Sequence, residues 1–154
     1  ALQTMIHIAE ELPHINFVIL GLKKNDFPVS SYQERFEFPG YLEEPQISKY
    51  FGESILSILP LMDGCSTRRG TLMCSLAHEV PVLTNYGEST DQELPWSNFC
   101  YISELSDFNK VAIEALSTDS TLKAKQESAR LYYNNHFSWP NIVRELVKIM
   151  RIPL

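Results

Sequence analysis

The chain has 154 residues, of which 44% are hydrophobic and 21% charged, and its formal net charge is −6. This length suits one domain that buries roughly two-thirds of the surface exposed by its unfolded chain. The acidic balance disfavours nucleic acid as a partner, because a binder of the phosphate backbone needs a basic face and the lysines and arginines here are scattered. Three cysteines without metal-ligand spacing predict neither a disulfide framework nor a metal site.

The sequence also bears on the compartment. The cysteine usage fits a reducing environment. No apolar run reaches the roughly 20 residues that span a bilayer, and the N-terminus lacks the charged and apolar regions of a secretory signal. We therefore expect a cytoplasmic protein with no transmembrane segment.

The first half of the chain alternates helical and strand patterns. An amphipathic stripe from Leu2 to Leu12 predicts a helix that Pro13 ends. The apolar run at residues 15–20, closed by Gly21, is typical of a strand covered on both faces, which indicates a parallel sheet. Residues 26–35 stay open between a loop and a short helix. The pattern then predicts strands at 36–38, 55–59, 80–84 and 99–102, and helices at 44–51 and 72–77.

The last third is predicted to be helical. Ser106 is the candidate N-cap of a helix over 108–116, and a more polar helix covers 122–133. In the last helix Ser138 is the expected cap and Pro140 lies in the first turn. Its wide apolar face, from Trp139 to Met150, needs a partner surface.

Alternating strands and helices predict an α/β fold: a Rossmann-like, doubly wound parallel sheet with helices on both faces. Such a domain normally opens with a central strand that carries the first phosphate loop, whereas this chain opens with a helix. We therefore hypothesise that residues 1–154 form a single domain of a longer protein, cut just after its first strand.

The segment between the predicted strands at 55–59 and 80–84 holds the candidate site. In an open parallel sheet, ligands lie beyond the carboxyl ends of the strands, where a helix N-terminus offers unpaired amides to an anion. Cations at a helix start are unfavourable unless an anion joins them. The residues at this place are Ser66, Thr67, Arg68, Arg69 and Gly70.

Simpler interpretations stay open for the same residues. Arg68 and Arg69 could be a solvated pair, and Ser66 and Thr67 could be N-caps. The acidic residues after Gly87, which are Glu88, Asp91 and Glu93, fit a solvated loop better than a metal site. We predict no metal site.

Several short motifs, spread over nearly the whole chain, resemble the C-terminal, nucleotide-sugar-binding domain of retaining GT-B glycosyltransferases of the group 1 type. They are Phe38-Pro39-Gly40-Tyr41-Leu42, Leu59-Pro60, Gly70 with Ala77 and Pro81-Val82, and Phe137-Ser138-Trp139. The resemblance implies a nucleoside diphosphate sugar as donor, with its base packed near Tyr41 and Leu42, and no divalent ion or other cofactor. It also implies an N-terminal domain that binds the acceptor and through which peripheral membrane association stays open. The isolated chain would then bind weakly and not turn over.

Two positions depart from the common pattern of that family. The resemblance places the two glutamates of that family at Thr67 and Cys74. A thiol is a weak hydrogen-bond donor and acceptor, so Cys74 cannot bind a vicinal diol as a carboxylate does. The Ser-Thr-Arg-Arg-Gly sequence resembles a variant branch in which an arginine pair replaces the glutamates. In that interpretation Arg68 and Arg69, with the amides near Gly70 and Thr71, hold the diphosphate, since guanidinium groups pair bidentately with phosphate. Ser66 and Thr67 would orient the sugar.

A further departure is Glu79, which stands where the family usually has a glycine in the left-handed conformation. We expect the helix to end in another way, because that conformation is costly for glutamate. Two other functions stay open: a catalytically degenerate binding or interaction module, and a sugar-nucleotide epimerase, which would need a carboxylate-rich cleft.

Overall fold

The computed structural model describes residues 2–26 and 32–150. Within them, α-helices and β-strands alternate through the first two-thirds of the chain and helices follow. The helices are α1 (Leu2–Glu11), α2 (Glu44–Glu53), α3 (Gly70–Ala77), α4 (Trp96–Phe99), α5 (Phe108–Ser117), α6 (Asp119–His136) and α7 (Trp139–Met150). The strands are β1 (Phe17–Leu20), β2 (Phe36–Gly40), β3 (Ser57–Leu59), β4 (Val82–Asn85) and β5 (Cys100–Ser103).

The strands form two parallel sheets. β1 pairs with β2, and β4 lies between β3 and β5. The register aligns Ile58 of β3 with Leu83 of β4, and Leu83 with Tyr101 of β5. All parallel pairs are joined through intervening helices or loops, as a doubly wound sheet requires.

Helices cover the sheets on both faces. Successive residues of a strand point to opposite faces, and in β4 Leu83 belongs to one buried cluster and Val82 to another. The first cluster joins α1, β1, β2 and α5, with Phe17 stacked on Phe36 at 4.8 Å between ring centroids. The second joins α3, α4, β5 and α6. This arrangement confirms the fold class predicted from the sequence.

Several predicted boundaries need correction. β2 continues through Pro39 to Gly40, whose carbonyl accepts a hydrogen bond from the Gly21 amide at 2.9 Å. Trp96–Phe99 forms a short helix that the pattern did not indicate. Of the segment left open at 26–35, short 3-10 turns occupy Lys24–Asp26 and Gln33–Arg35, and residues 27–31 lie outside the described chain.

Three expectations about helix ends need correction. The N-cap of α5 is Asp107, not Ser106. Ser138 precedes α7 as expected, and its carbonyl accepts from the amides of Asn141 and Ile142, but its hydroxyl donates to the Asn134 carbonyl at 2.8 Å and does not cap α7. Glu79 has φ 62°, so the chain does take the left-handed conformation after α3 that we expected it to avoid. Its neighbour Val80 is 2% exposed, and burying that side chain offsets the backbone cost.

The side chain of Arg35, which directly precedes β2, donates hydrogen bonds to backbone carbonyls at the end of α1 and the turn after it. Its guanidinium donates to the carbonyls of Leu12 and Ile15 at 2.8 Å, and also to that of Ala9. The last carbonyls of a helix have no partner within the helix, and a cation there complements the helix dipole. One side chain thus satisfies three carbonyls where α1 turns into β1.

The last helix leaves an apolar face uncovered. Trp139 and Ile149 of α7 are 74% and 76% exposed, and none of its residues is buried. Within residues 2–26 and 32–150, no helix combines the length and the apolar character needed to cross a membrane.

Replacing Arg35 by methionine is expected to lower the free energy of unfolding by about 1–3 kcal/mol, because the carbonyls at the end of α1 lose their donors. Urea denaturation measures the change. Arg130→Met is the matched control, since Arg130 is exposed and lies 3.9 Å from the Glu79 carboxylate; it should change stability by less than about 0.5 kcal/mol. Equal effects of the two substitutions would show that the contacts of Arg35 add nothing.

Candidate functional site

The loop from β3 to α3 is anchored by Asn85, the last residue of β4. The Asn85 side chain is 1% exposed; its carbonyl oxygen accepts from the Leu61 amide and its amide group donates to the Leu61 carbonyl, both at 2.8 Å. The Asn85 backbone carbonyl accepts from the Cys65 amide at 3.1 Å. A buried side-chain amide that both accepts from and donates to the backbone of a loop fixes that loop on the sheet. We did not predict a role for Asn85 from the sequence. The sequence signal that could have indicated it is a polar residue at the end of an apolar strand.

Two glycines bring this loop against the one that follows β4. A Cβ atom on Gly64 would lie 2.4 Å from the Gly87 amide nitrogen, and one on Gly87 would lie 2.4 Å from the Asp63 carbonyl carbon. Gly64 also has φ 86°, which favours glycine. The Ser89 amide donates to the Asp63 carbonyl at 2.7 Å across the same contact.

Asp91 holds the middle of the loop. One of its carboxylate oxygens accepts from the Thr67 amide at 2.7 Å and from the Thr67 hydroxyl at 3.0 Å. The Asp91 carbonyl accepts from the Trp96 indole at 2.7 Å. Asp91 is therefore half-buried and bonded to the loop, which corrects the expectation that it is solvated.

The two arginines have different surroundings. Arg69 forms an ion pair with Asp63, and their side chains are 35% and 50% exposed. Arg68 is exposed, and within the described part of the chain no carboxylate lies within ion-pair distance of it. Arg69 thus has an internal counter-ion and Arg68 has none in this region.

The pKa of Asp63 reflects these contacts. The hydroxyl of Ser89 at 3.1 Å, the backbone amide of Asp63 itself and the Arg69 guanidinium stabilise the carboxylate and hold its pKa below the usual 3.8. Asp63 therefore stays ionised at neutral pH and keeps Arg69 paired.

Helix α3 begins without a side-chain cap. Its N-cap residue is Arg69, in an extended backbone conformation, and the expectation that Ser66 or Thr67 caps the helix is wrong. Gly70 and Thr71 in its first turn are exposed. The positive end of the helix therefore faces solvent beside Arg68.

Ser66 and Cys74 are less accessible. Ser66 is 3% exposed and its carbonyl accepts from the Arg69 amide at 3.1 Å. Burial raises the pKa of the Cys74 thiol, which is therefore neutral at pH 7. His78, one turn later, bonds through one ring nitrogen to the Cys74 carbonyl at 2.8 Å and through the other to the Ser48 hydroxyl at 2.5 Å. His78 therefore closes the C-terminal end of α3.

A cavity of about 640 Å³ adjoins the loop. Thr67 is on its wall, facing the end of α6. The lining residues are Thr67, Asp91, Gln92, Glu93, Leu94, Tyr132, His136 and Phe137. Tyr132 lies with its ring 4.5 Å from that of His136 and 5.6 Å from that of Phe137, so aromatic rings face the acidic segment. Burial, and then the charge of Asp91, raise the pKa of the Tyr132 phenol.

Tyr41 and Leu42 lie apart from this cavity. Tyr41 follows β2 and is 85% exposed. Leu42 lines a separate cavity of about 290 Å³ against α2, which shares no residue with the first. Within the described residues no group of three or more His, Cys, Asp or Glu side chains could hold a metal ion.

Comparison with known proteins identifies the fold. No family model matches the sequence, and no curated protein does. Among solved structures, the chain is similar to the structure titled "Crystal Structure of WaaG, a glycosyltransferase involved in lipopolysaccharide biosynthesis", with a TM-score of 0.72 and 17% identity. The match covers 96% of this chain and 42% of that one, so the chain spans less than half the length of that glycosyltransferase. The α/β architecture thus matches the Rossmann-like C-terminal domain of the GT-B fold.

Gly64→Ala is expected to lower the free energy of unfolding by about 2 kcal/mol or more, because alanine is strained at this φ and its Cβ would meet the backbone of Gly87. Thermal or urea unfolding measures the loss. Gly52→Ala in α2 is the control: nothing lies within 4 Å of its Cβ position, so it should stabilise by roughly 0.5–1 kcal/mol. A neutral Gly64→Ala would mean that the two loops are not in contact.

The titration of Asp63 provides a separate check. Its folded pKa is lowered, so its contribution to stability is present above the unfolded value near 3.8 and is lost as the pH falls below it. Carboxyl NMR should give a midpoint below 3.8. Ser89→Ala and Arg69→Met should each raise that midpoint, since each removes a group that stabilises the ionised carboxylate. An unshifted midpoint in the unmodified chain would contradict the ion pair.

Proposed function

We propose that this chain is the donor-binding part of a retaining glycosyltransferase that takes a hexosyl group from a nucleoside diphosphate sugar. The observation that carries the proposal is the exposed Arg68 guanidinium beside the exposed start of α3, at the carboxyl end of β3. Parallel sheets bind ligands at that edge, and a helix start combined with a guanidinium suits a diphosphate.

The two arginines have separate roles in this proposal. Arg68 pairs with a phosphate without giving up another partner. Arg69 must share its guanidinium between the phosphate and Asp63, so it contributes less to the net binding energy. The amides near Gly70 and Thr71 would complete the diphosphate site and stabilise the charge on the leaving group.

The cavity beside Thr67 suits the sugar. The Glu93 carboxylate and the Asp91 oxygen that does not bond to Thr67 would accept hydrogen bonds from sugar hydroxyls, and the rings of Tyr132 and Phe137 would offer apolar faces to the C–H groups of a pyranose. Thr67 lies in the loop between β3 and α3 and also on the wall of the cavity. It therefore adjoins both the proposed diphosphate site and the proposed sugar site. Ser66 is buried, so its proposed part is to support the backbone of the loop next to the sugar.

The remaining assignments follow the family resemblance. Tyr41 and Leu42 would pack against the base, and Cys74 would lie near the ribose in place of a carboxylate. Donor binding would need no metal ion or other cofactor. A further N-terminal domain would bind the acceptor, and any membrane association would be peripheral and through that domain. We place the protein in the cytoplasm.

A degenerate binding module is the second candidate. Two observations favour it: Thr67 and Cys74 lack the carboxylates expected from the resemblance, and Arg69 already has Asp63 as a counter-ion. The epimerase alternative needs a carboxylate-rich cleft. Asp91 and Glu93 are the two acids on the cavity wall, and Asp91 is already bonded to Thr67, so we do not favour it.

Arg68→Ala is expected to weaken the binding of UDP- or GDP-sugars about tenfold or more, because a charge-assisted bond to phosphate is lost. Calorimetry or ligand-observed NMR on the chain measures the affinity, and the loss should shrink at high salt. Arg144→Ala is the control, since Arg144 is exposed on α7 and bonds to Asn141 at 2.8 Å; it should leave binding unchanged.

The same titration separates the two candidates. Binding of one nucleotide sugar, reduced by Arg68→Ala and not by Arg144→Ala, supports the donor site. If no nucleotide sugar binds, and a longer form of the protein transfers no sugar, the chain is an interaction module and the arginines are a solvated pair.

A further inference from the structure

Asp91 places a fixed negative charge on the wall of the cavity beside Thr67. One of its carboxylate oxygens accepts from the Thr67 amide at 2.7 Å and from the Thr67 hydroxyl at 3.0 Å. Its backbone carbonyl accepts from the indole of Trp96, a residue that is 3% exposed. Because the side chain and the backbone of Asp91 are both bonded, the carboxylate cannot turn away from an unfavourable ligand without losing these bonds.

Among the described residues, no lysine or arginine on the cavity wall balances this charge. The acids on the wall are Asp91 and Glu93. On α6, whose C-terminal end forms the facing wall, Lys125 and Arg130 have partners that do not line the cavity. Glu93 is exposed, so its longer side chain can turn to solvent. Asp91 is therefore the part of the negative charge that a ligand in the cavity must meet.

The charge of Asp91 acts on the facing wall of the cavity. Tyr132 lies there, with its ring stacked on that of the buried Phe99 at 4.1 Å between centroids. Burial, and then the charge of Asp91, raise the pKa of the Tyr132 phenol. The negative charge that disfavours a phenolate at this wall also disfavours any other anion in the same space.

We propose, on the basis of the donor-binding function proposed above, that the cavity beside Thr67 selects donors whose sugar carries no carboxylate, and that Asp91 is the main residue behind this selection. A neutral hexose offers hydroxyl donors to the Asp91 oxygen that does not bond to Thr67. A uronate in the same position would bring a second carboxylate against Asp91, with no guanidinium or ammonium group on the wall to pair with it. The two classes of donor therefore differ by a like-charge repulsion.

Two pairs of donors isolate the charge of the sugar. UDP-glucose and UDP-glucuronate differ only at C6, where a carboxylate replaces a hydroxymethyl group, and GDP-mannose and GDP-mannuronate differ in the same way. Calorimetry at about pH 8, where imidazole is normally uncharged, gives the ratio of the two dissociation constants in each pair. We expect the neutral donor to bind about tenfold or more tightly at low salt, and the ratio to shrink at high salt.

Substitutions that remove one charge and keep the side-chain shape assign the effect to residues. Asp91→Asn keeps an oxygen that can accept from Thr67, and it should reduce the preference for the neutral donor about threefold or more. Glu93→Gln should reduce it by a smaller factor, because Glu93 can turn to solvent. Glu145→Gln on α7 is the matched control: it removes the same charge from an exposed carboxylate 2.7 Å from Lys148, and it should leave the ratio unchanged.

The possible outcomes separate this inference from the proposed function. A preference for the neutral donor that Asp91→Asn reduces and Glu145→Gln does not would support the inference. Equal affinity for the two donors of a pair, with both weakened by Arg68→Ala, would overturn it and leave the donor site standing. A preference that neither Asp91→Asn nor Glu93→Gln changes would also overturn it, because the discrimination would then be steric. The absence of binding by every donor would overturn the inference and the proposed function together.

Discussion

The contact between Gly64 and Gly87 is the constraint on which the candidate site depends. Their backbones are so close that neither position has room for a Cβ atom, and Gly64 also needs a positive φ. This contact brings the loop before α3 against the loop after β4. Asn85 at the end of β4 and Asp91 in the second loop then satisfy polar groups of the first loop. The position of the α3 start is therefore set by backbone packing between loops, not by an N-cap side chain.

The fold could be predicted because its strands and helices leave different apolar patterns in the sequence. Continuous apolar runs such as 15–20 and 80–84 identify strands of a parallel sheet, and the α1 and α7 stripes identify helices. Element ends were less predictable because contacts distant in sequence decide them. Arg35 closes α1 from 26 and 23 positions away, through the carbonyls of Ala9 and Leu12. This contact leaves no local pattern in the sequence.

The sequence predicts where the segment from Ser66 to Gly70 lies in the fold, but not its contacts. The order of strands and helices puts this segment after the carboxyl end of β3, the edge at which parallel sheets bind ligands. It cannot distinguish Arg68 from Arg69, because the difference between them is the Asp63 carboxylate, which approaches only when the loop folds. The polar contacts of Asp91 were hidden in the same way, since Asp91 meets Thr67 across 24 positions of sequence.

The electrostatics of the loop follow from these long-range contacts. Asp63 already neutralises Arg69, so an anion that binds there replaces one partner by another and gains little. Among residues 2–26 and 32–150 no carboxylate pairs with Arg68, so an anion there forms a new ion pair. Arg69 and Asp63 thus hold the loop in shape before any ligand arrives, which lowers the cost of ordering it on binding. Position 67 carries no carboxylate of its own, yet Asp91 places one against Thr67 from the neighbouring loop. Tertiary structure therefore supplies a carboxylate beside the cavity next to Thr67, where the local sequence lacks one.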